Sequence, residues 1–174
     1  MNKTTMNQQQ VTDDVKAWIA EFVTKPNPLL QNLPPCPYAK QAVLEDKVQI
    51  VVPTEGTVSY AIQHALTNFD HNMDLVMLVF DPQVMDPETF EACVWQWNQT
   101  VDPQFVLLDD HPDNEENING VTMNNGKYAI VFIQKSDKLD EASTFLETRT
   151  KYYKVWSQEN LDDVVTWRKD RKKS

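Results

Sequence analysis

The residue types that could carry chemistry are concentrated at Cys36 and in an acidic loop that begins at Asp109. The loop has six oxygen or nitrogen donors within eight positions: Asp109, Asp110, His111, Asp113, Glu115 and Glu116. Such side chains can coordinate a divalent cation. Their spacing matches no calcium-loop pattern and lacks the glycine that such a loop places at its bend. A solvated acidic loop is therefore the alternative interpretation.

Cys36 is the candidate nucleophile of the chain. It precedes Pro37 at the predicted start of a short helix, where free backbone N–H groups and the helix dipole stabilise a thiolate. The alternative is a small buried apolar residue in a proline-rich corner. Cys93 lies between Phe90 and Trp97 on the inward face of a predicted helix, so we expect it to be a buried structural residue.

Hydrophobic periodicity predicts the elements that position these residues. We expect helices over 12–24, 37–45 and 58–69 and from 86, 136 and 157 onward, and strands over 48–52, 75–80 and 105–108. The alternation of strands and helices up to residue 108 predicts three parallel strands joined by right-handed crossovers. Asn125 and Gly126 then predict a tight turn between strands 121–123 and 128–133. The fold class is α/β, a mixed sheet of about five strands (three parallel plus a hairpin) with flanking helices in two or three layers.

The domain organisation follows from the length and the ends of the chain. We expect a disordered N-terminus over residues 1–10, a single α/β domain over 11–168 and a basic C-terminal tail over 169–174. The seven residues from Arg168 to Ser174 include five basic groups. We expect them to form a solvated helix end, with contact to an acidic partner as the alternative. Five aromatic residues are expected to lie in the core, and the alternative is that they form a binding face. They are Trp95, Tyr152, Tyr153, Trp156 and Trp167.

The predicted topology brings the chemical residues to one edge of the sheet. Open α/β sheets bind ligands outside the carboxyl ends of their strands. The predicted site consists of Cys36 and His111 as catalytic residues, with Asp81, Asp109 and Glu55 as ligand-binding residues. A thiolate polarised by histidine near carboxylates is typical of a cysteine nucleophile site. A mixed metal shell is the alternative, with a divalent metal as the possible cofactor.

Composition and motifs exclude several function classes. A net charge of −10 opposes binding to nucleic acid or to an anionic membrane. Two cysteines are too few for a disulfide framework or a CxxC-type zinc site. There is no GxGxxG or phosphate loop, which argues against a standard nucleotide cofactor. Because no apolar signal core or bilayer-length apolar stretch is present, we expect a cytoplasmic protein.

Three groups of motifs carry a resemblance to known proteins. They are residues 26–28 (Pro-Asn-Pro) with 33–40 (Leu-Pro-Pro-Cys-Pro-Tyr-Ala-Lys), residues 119–128, and the aromatic-rich ending at 152–156 and 164–168. With these motifs the chain resembles uncharacterised proteins encoded by tailed marine cyanophages, over most of its length. The resemblance implies the cytoplasm of an infected host as the compartment.

A looser resemblance covers residue 36 to about residue 113. The order Cys36-Pro37-Tyr38-Ala39, strand, helix, strand, helix, strand, His111-Pro112 is similar to a bacterial family of unknown function. That family has phenylalanine where this chain has Tyr38. The resemblance implies that the cysteine and the histidine share a site, and it implies no activity.

The sequence specifies neither a reaction nor a substrate, and two function classes fit it. The first is a small-molecule enzyme or ligand-binding protein that uses the Cys/His/carboxylate edge, which requires a concave pocket there. The alternative is a noncatalytic acidic interaction protein, such as a phage-encoded modulator of a host component, that docks on a basic protein partner. That alternative requires an exposed apolar or strongly acidic patch.

Overall fold

The computed structural model of the protein describes residues 5–173. Its strands are β1 (Val48–Val51), β2 (Leu75–Phe80), β3 (Phe105–Asp110), β4 (Asn117–Ile118), β5 (Val121–Thr122) and β6 (Ala129–Lys135). Its helices are α1 (Gln8–Trp18), α2 (Pro37–Leu44), α3 (Val58–Thr67), α4 (Pro87–Thr100), α5 (Ser136–Arg149), α6 (Gln158–Leu161) and α7 (Trp167–Lys173). A π-helical turn, Ile19–Val23, continues α1, and another, Asp162–Thr166, joins α6 to α7. Short 3-10 turns occupy Pro28–Leu30, Pro82–Val84 and Tyr152–Val155.

A four-stranded mixed sheet in the order β1-β2-β6-β3 forms the centre of the fold. Strand β1 is parallel to β2, while β6 is antiparallel to both β2 and β3. Every residue of β2 is buried, which agrees with its continuous apolar run. The predicted α/β class is confirmed. The three strands that were expected to be parallel run in one direction, but β6 lies between β2 and β3.

The predicted hairpin turn at Asn125 and Gly126 is wrong. Strand β5 pairs with β4 instead, and this small hairpin turns at Asn119 and Gly120, which both have positive φ angles of 51° and 87°. The mainly buried β6 enters the centre of the main sheet, where both of its faces are covered. The Asn125 side chain organises the connection to β6 by accepting hydrogen bonds from the backbone of residues 127 and 128. Local turn chemistry was outweighed by the burial of an apolar strand.

Helices cover both faces of the sheet, so the architecture has three layers. One face packs against residues of α3 and α4, including Val58, Ile62, Phe90 and Val94. The other face packs against residues of α1, α2 and α5, including Val11, Val15, Ala39 and Leu139. A third cluster joins the small hairpin to the C-terminal region through Ile118, Val121, Leu146 and Tyr152.

The exposed side of the edge strand β3 is closed by side chains. The Asn98 amide donates to the carbonyl oxygen of Leu107 (2.7 Å) and accepts from the Leu107 N–H (2.9 Å), as a neighbouring strand would. The guanidinium of Arg171 donates to the carbonyl oxygen of Phe105 (2.8 Å). These contacts block the edge against pairing with another chain.

The ends of the described chain are more ordered than the sequence suggested. Helix α1 begins at Gln8 and its first turn is capped by Asn7, so residues 8–10 lie in a helix and not in a disordered segment. Residues 1–4 and Ser174 lie outside the described residues. At the other end, Arg168 is only 3% exposed, which contradicts the expected solvated position. Among residues 5–173, the helices are too short or too polar to cross a bilayer.

Candidate functional site

A cavity of about 550 Å³ lies over the sheet face that carries Met77, Leu108 and Phe132. Leu108 and Phe132 are partly buried because the cavity stands above them. The cover comes from α1, from the start of α2, from the loop after β3 and from the C-terminal helices. Much of the wall is aromatic, with Trp18, Phe22, Tyr152, Tyr153 and Trp156. This mixture of apolar wall and polar groups is typical of small-molecule sites.

Cys36 lines this cavity at the N-terminus of α2. Its sulfur accepts a hydrogen bond from the backbone N–H of Ala39 at 3.4 Å. Burial nevertheless raises the pKa of the Cys36 thiol, because desolvation outweighs that N–H group and the positive charge of Arg168. This raised pKa does not support the expected low-pKa thiolate at position 36.

Cys93 is less enclosed than the sequence suggested. Its side chain is partly buried at the margin of the core, with its sulfur 3.5 Å from the Ser59 hydroxyl. Since α4 presents Phe90 and Val94 to the sheet, Cys93 falls at the border of that buried face. The expectation of full burial is wrong, although Cys93 packs against the core as a structural residue.

His111 lines the same cavity as Cys36, but backbone groups occupy its ring nitrogens. Nδ1 accepts from the N–H of Asp113 at 3.1 Å, and Nε2 lies 3.0 Å and 3.1 Å from the carbonyl oxygens of Met85 and Pro82. This pattern assigns the ring proton to Nε2, which donates to those carbonyls. His111 is 1% exposed and holds the loop after β3 against residues 82–85. It leaves no nitrogen to act as a base for Cys36.

Two residues of the predicted site lie away from the cavity. Because β6 separates β2 from β3, Asp81, which follows β2, and Asp109, which lies within β3, belong to strands that are about 10 Å apart. Asp81 is exposed and accepts a hydrogen bond from the backbone N–H of Gln83 at 2.8 Å. Glu55 is exposed and lines a smaller, separate cavity on the α3 side of the sheet. Of the five predicted site residues, Cys36, Asp109 and His111 therefore line this cavity.

The acidic end of the cavity contains two carboxyl groups with raised pKa values. Burial, followed by repulsion from Glu91 and Asp110, raises the pKa of Asp109 to about 6. Burial and the negative charge of Asp109 raise the pKa of Glu116 to about 7. A carboxyl group that keeps its proton near neutral pH can donate a hydrogen bond or a proton to a bound molecule. Sequence analysis placed Glu116 only among the acidic loop residues.

Asp110 has a structural environment instead. One carboxylate oxygen accepts from the Asn124 amide at 2.8 Å, and the other accepts from the Asn125 amide at 2.7 Å and from its backbone N–H at 3.1 Å. Burial raises the pKa of Asp110, and these donors oppose that rise. Within the described residues, no three Asp, Glu, His or Cys side chains are grouped so that they could hold a metal ion. The metal interpretation of the acidic loop is therefore not supported.

Sequence analysis missed the contribution of the C-terminal helix to the cavity. Arg168 lines the cavity together with Val164, and it was assigned to a solvated basic run. A signal was present, since Leu161, Val164, Val165 and Arg168 repeat at the spacing of one helical face. An arginine at the last of those positions is expected to point inward with its apolar neighbours.

No protein-family model, curated protein or solved structure matches this chain. The resemblances drawn from the sequence motifs stay predictions. The proposed function is therefore based on the cavity.

Proposed function

We propose that the protein binds a small amphipathic organic molecule in the cavity between the sheet and the C-terminal helices. The observation that carries this proposal is the 550 Å³ cavity itself, which combines aromatic walls with buried ionisable groups. Its volume falls within the range of about 300 to 1,000 Å³ that is usual for small-molecule sites. The proposal keeps the ligand-binding part of the function expected from sequence and moves it from the strand edge to the face of the sheet.

Fixed aromatic side chains support a preformed site. The Tyr38 hydroxyl donates to the carbonyl oxygen of Asp74 at 2.7 Å, and the Tyr152 hydroxyl donates to that of Pro35 at 2.5 Å. Both rings are therefore held by buried hydrogen bonds to the backbone. Walls that are fixed before binding reduce the entropy that a ligand must overcome.

Nucleophilic catalysis by Cys36 is not part of the proposal. Burial raises the pKa of its thiol, and the His111 nitrogens are bonded to backbone groups. A Cys–His nucleophile needs a base within hydrogen-bond reach of the sulfur. The arrangement favours a role for Cys36 as a polarisable part of the cavity wall.

A neutral fluorescent probe tests whether the cavity binds small molecules. N-phenyl-1-naphthylamine gains emission in an apolar site, so we expect saturable binding to the wild-type protein. Phe132→Trp places a larger ring on the floor of the cavity and should weaken probe binding by about tenfold or more. Tyr60→Trp is the matched control, because it enlarges an exposed ring on α3, away from this cavity.

The result can overturn the proposal in two ways. Absence of saturable binding to the wild-type protein would refute it. Equal binding by the wild-type and Phe132→Trp proteins, both shown to be folded by circular dichroism, would place the probe elsewhere and would also refute it.

A further inference from the structure

We propose that the ligand carries a single carboxylate and that Arg168 and Trp156 bind this group at the α7 end of the cavity. The inference rests on the proposed function, because it specifies the chemistry of the molecule that the cavity accepts. It is carried by two buried N–H donor atoms at the cavity, Nη1 of Arg168 and Nε1 of Trp156, for which residues 5–173 provide no acceptor.

Arg168 is a buried cation with an incomplete set of partners. Its Nε donates to the carbonyl oxygen of Val164 (2.7 Å) and one terminal nitrogen donates to the Ser143 hydroxyl (3.2 Å). The other terminal nitrogen, Nη1, lies 3.8 Å from a carboxylate oxygen of Asp140. Among the described residues, none accepts a hydrogen bond from Nη1.

The contact with Asp140 is too long for a direct charge-assisted hydrogen bond, which normally measures about 2.7–2.9 Å. A guanidinium stays charged even when burial opposes its charge. A buried charge without good hydrogen bonds is costly, so an anionic group that reaches Nη1 would be stabilised there.

Trp156 provides the second donor in the same neighbourhood. Its indole Nε1 is buried and has no acceptor among residues 5–173. Its ring contacts that of Tyr153, with 5.2 Å between ring centroids. The Tyr153 hydroxyl and Arg168 both donate to the Ser143 hydroxyl, which connects the indole to the guanidinium through shared contacts. An indole N–H can only donate, so it requires an acceptor from the ligand.

The charges elsewhere in the cavity favour a monoanion with an apolar body. Asp109, Glu116 and Asp163 also line it, and the chain has a net charge of −10. Asp140 already balances part of the charge of Arg168. A phosphate dianion would bring a second negative charge into this acidic cavity, whereas a carboxylate matches one guanidinium. The aromatic wall provides the contact surface for the rest of the molecule.

Displacement of the neutral probe by three matched ligands tests this assignment. The ligands are 2-naphthaleneacetate, the uncharged 2-naphthaleneacetamide and 2-naphthyl phosphate. We expect the wild-type protein at pH 8 to bind the carboxylate about tenfold or more tightly than the amide or the phosphate. The amide has the same ring and chain length, so the ratio isolates the charge of the head group.

Two variants and one control connect the preference to the proposed residues. Arg168→Gln should abolish the preference for the carboxylate, and Trp156→Phe should reduce it several-fold while it keeps an aromatic ring. Lys169→Gln is the matched control, because Lys169 directly follows Arg168 in the sequence. The substitution removes an exposed positive charge that pairs with Glu147. If Arg168→Gln does not fold, Trp156→Phe alone decides the result.

The outcomes separate the two proposals. If the neutral probe binds and the wild-type protein prefers the amide or the phosphate, the carboxylate assignment is overturned while the cavity proposal stands. If Trp156→Phe keeps the full preference, or Lys169→Gln loses it, the assignment to this end of the cavity is refuted. If the neutral probe does not bind, the proposed function is refuted, and the carboxylate assignment that rests on it is refuted as well.

Discussion

Ionisation of Glu116 should destabilise the folded protein as the pH rises through neutrality. Burial raises the pKa of this carboxyl from its ordinary value of 4.5 to about 7. Between these two values the folded state binds more protons than the unfolded state, so stability falls with rising pH. The stability linked to the proton of Glu116 is therefore fully present below pH 4.5 and is lost as the pH rises past about 7.

The size of the effect follows from the raised pKa. One pKa unit corresponds to about 1.4 kcal/mol, so the rise to about 7 costs about 3 kcal/mol once Glu116 is ionised. Part of this cost is already present at pH 5.5, where the unfolded chain is mostly ionised. About 2 kcal/mol is expected between pH 5.5 and pH 8.

Urea denaturation of the wild-type, Glu116→Gln and Glu115→Gln proteins at pH 5.5, 6.5, 7.2 and 8.0 measures this cost. Glu116→Gln should gain about 2 kcal/mol relative to wild type between the lowest and highest pH, because the amide does not ionise. Glu115→Gln is the matched control in the same loop, since Glu115 is exposed. The amide oxygen of the substituted side chain can still accept the hydrogen bond that the Thr122 hydroxyl donates to Glu115. Lower pH values are avoided, because the negative net charge that maintains solubility then disappears.

Parallel pH profiles for the wild-type and Glu116→Gln proteins would refute the reasoning. They would mean that water reaches this carboxyl group and that it ionises without cost. A change of slope in the Glu115→Gln protein as well would show that the effect comes from the charge of the whole loop.

Two further predictions follow from the edge strand and from the cavity wall. Asn98→Ala should lower the free energy of unfolding, measured by urea denaturation, by about 2–4 kcal/mol, because it leaves the N–H and carbonyl groups of Leu107 without their Asn98 partner. An unchanged urea midpoint would contradict the edge-closing role of Asn98. In a Cys93→Ser background, Cys36 should react with a maleimide at pH 7.5 more slowly than free cysteine, since burial raises the pKa of its thiol. Faster reaction than free cysteine would restore the nucleophile hypothesis.

The class of the fold and most of its elements could be predicted from periodicity, but the position of the last strand could not. The apolar run at 75–80 predicts a buried strand, and the hairpin strand predicted over 128–133 corresponds to β6. Which neighbours β6 takes depends on contacts distant in sequence, whereas the Asn125-Gly126 signal is local. The strand therefore entered the centre of the sheet, where the larger apolar burial is available.

The same insertion explains what could be predicted of the site. Cys36 and His111 line one cavity over the face of the sheet, and their predicted catalytic role stays a prediction. Asp81 lies away from the cavity because β6 separates β2 from β3. Arg168 was missed because its charge, and not its position on a helical face, decided its interpretation.

The contacts of Cys36 and His111 indicate that the two predicted catalytic residues frame the cavity. The backbone N–H of Cys36 donates to the carbonyl oxygen of Val23 (3.1 Å), and its sulfur caps α2. His111 joins the loop after β3 to the segment after β2 through Nε2, while its Nδ1 accepts from Asp113 within the loop. Each residue thus fixes a backbone segment from which the cavity is built. A cysteine-proline and a histidine-proline motif can therefore mark a cavity through the walls that it requires, and under the proposed function the ionisable residues Arg168 and Glu116 would determine which molecule binds there.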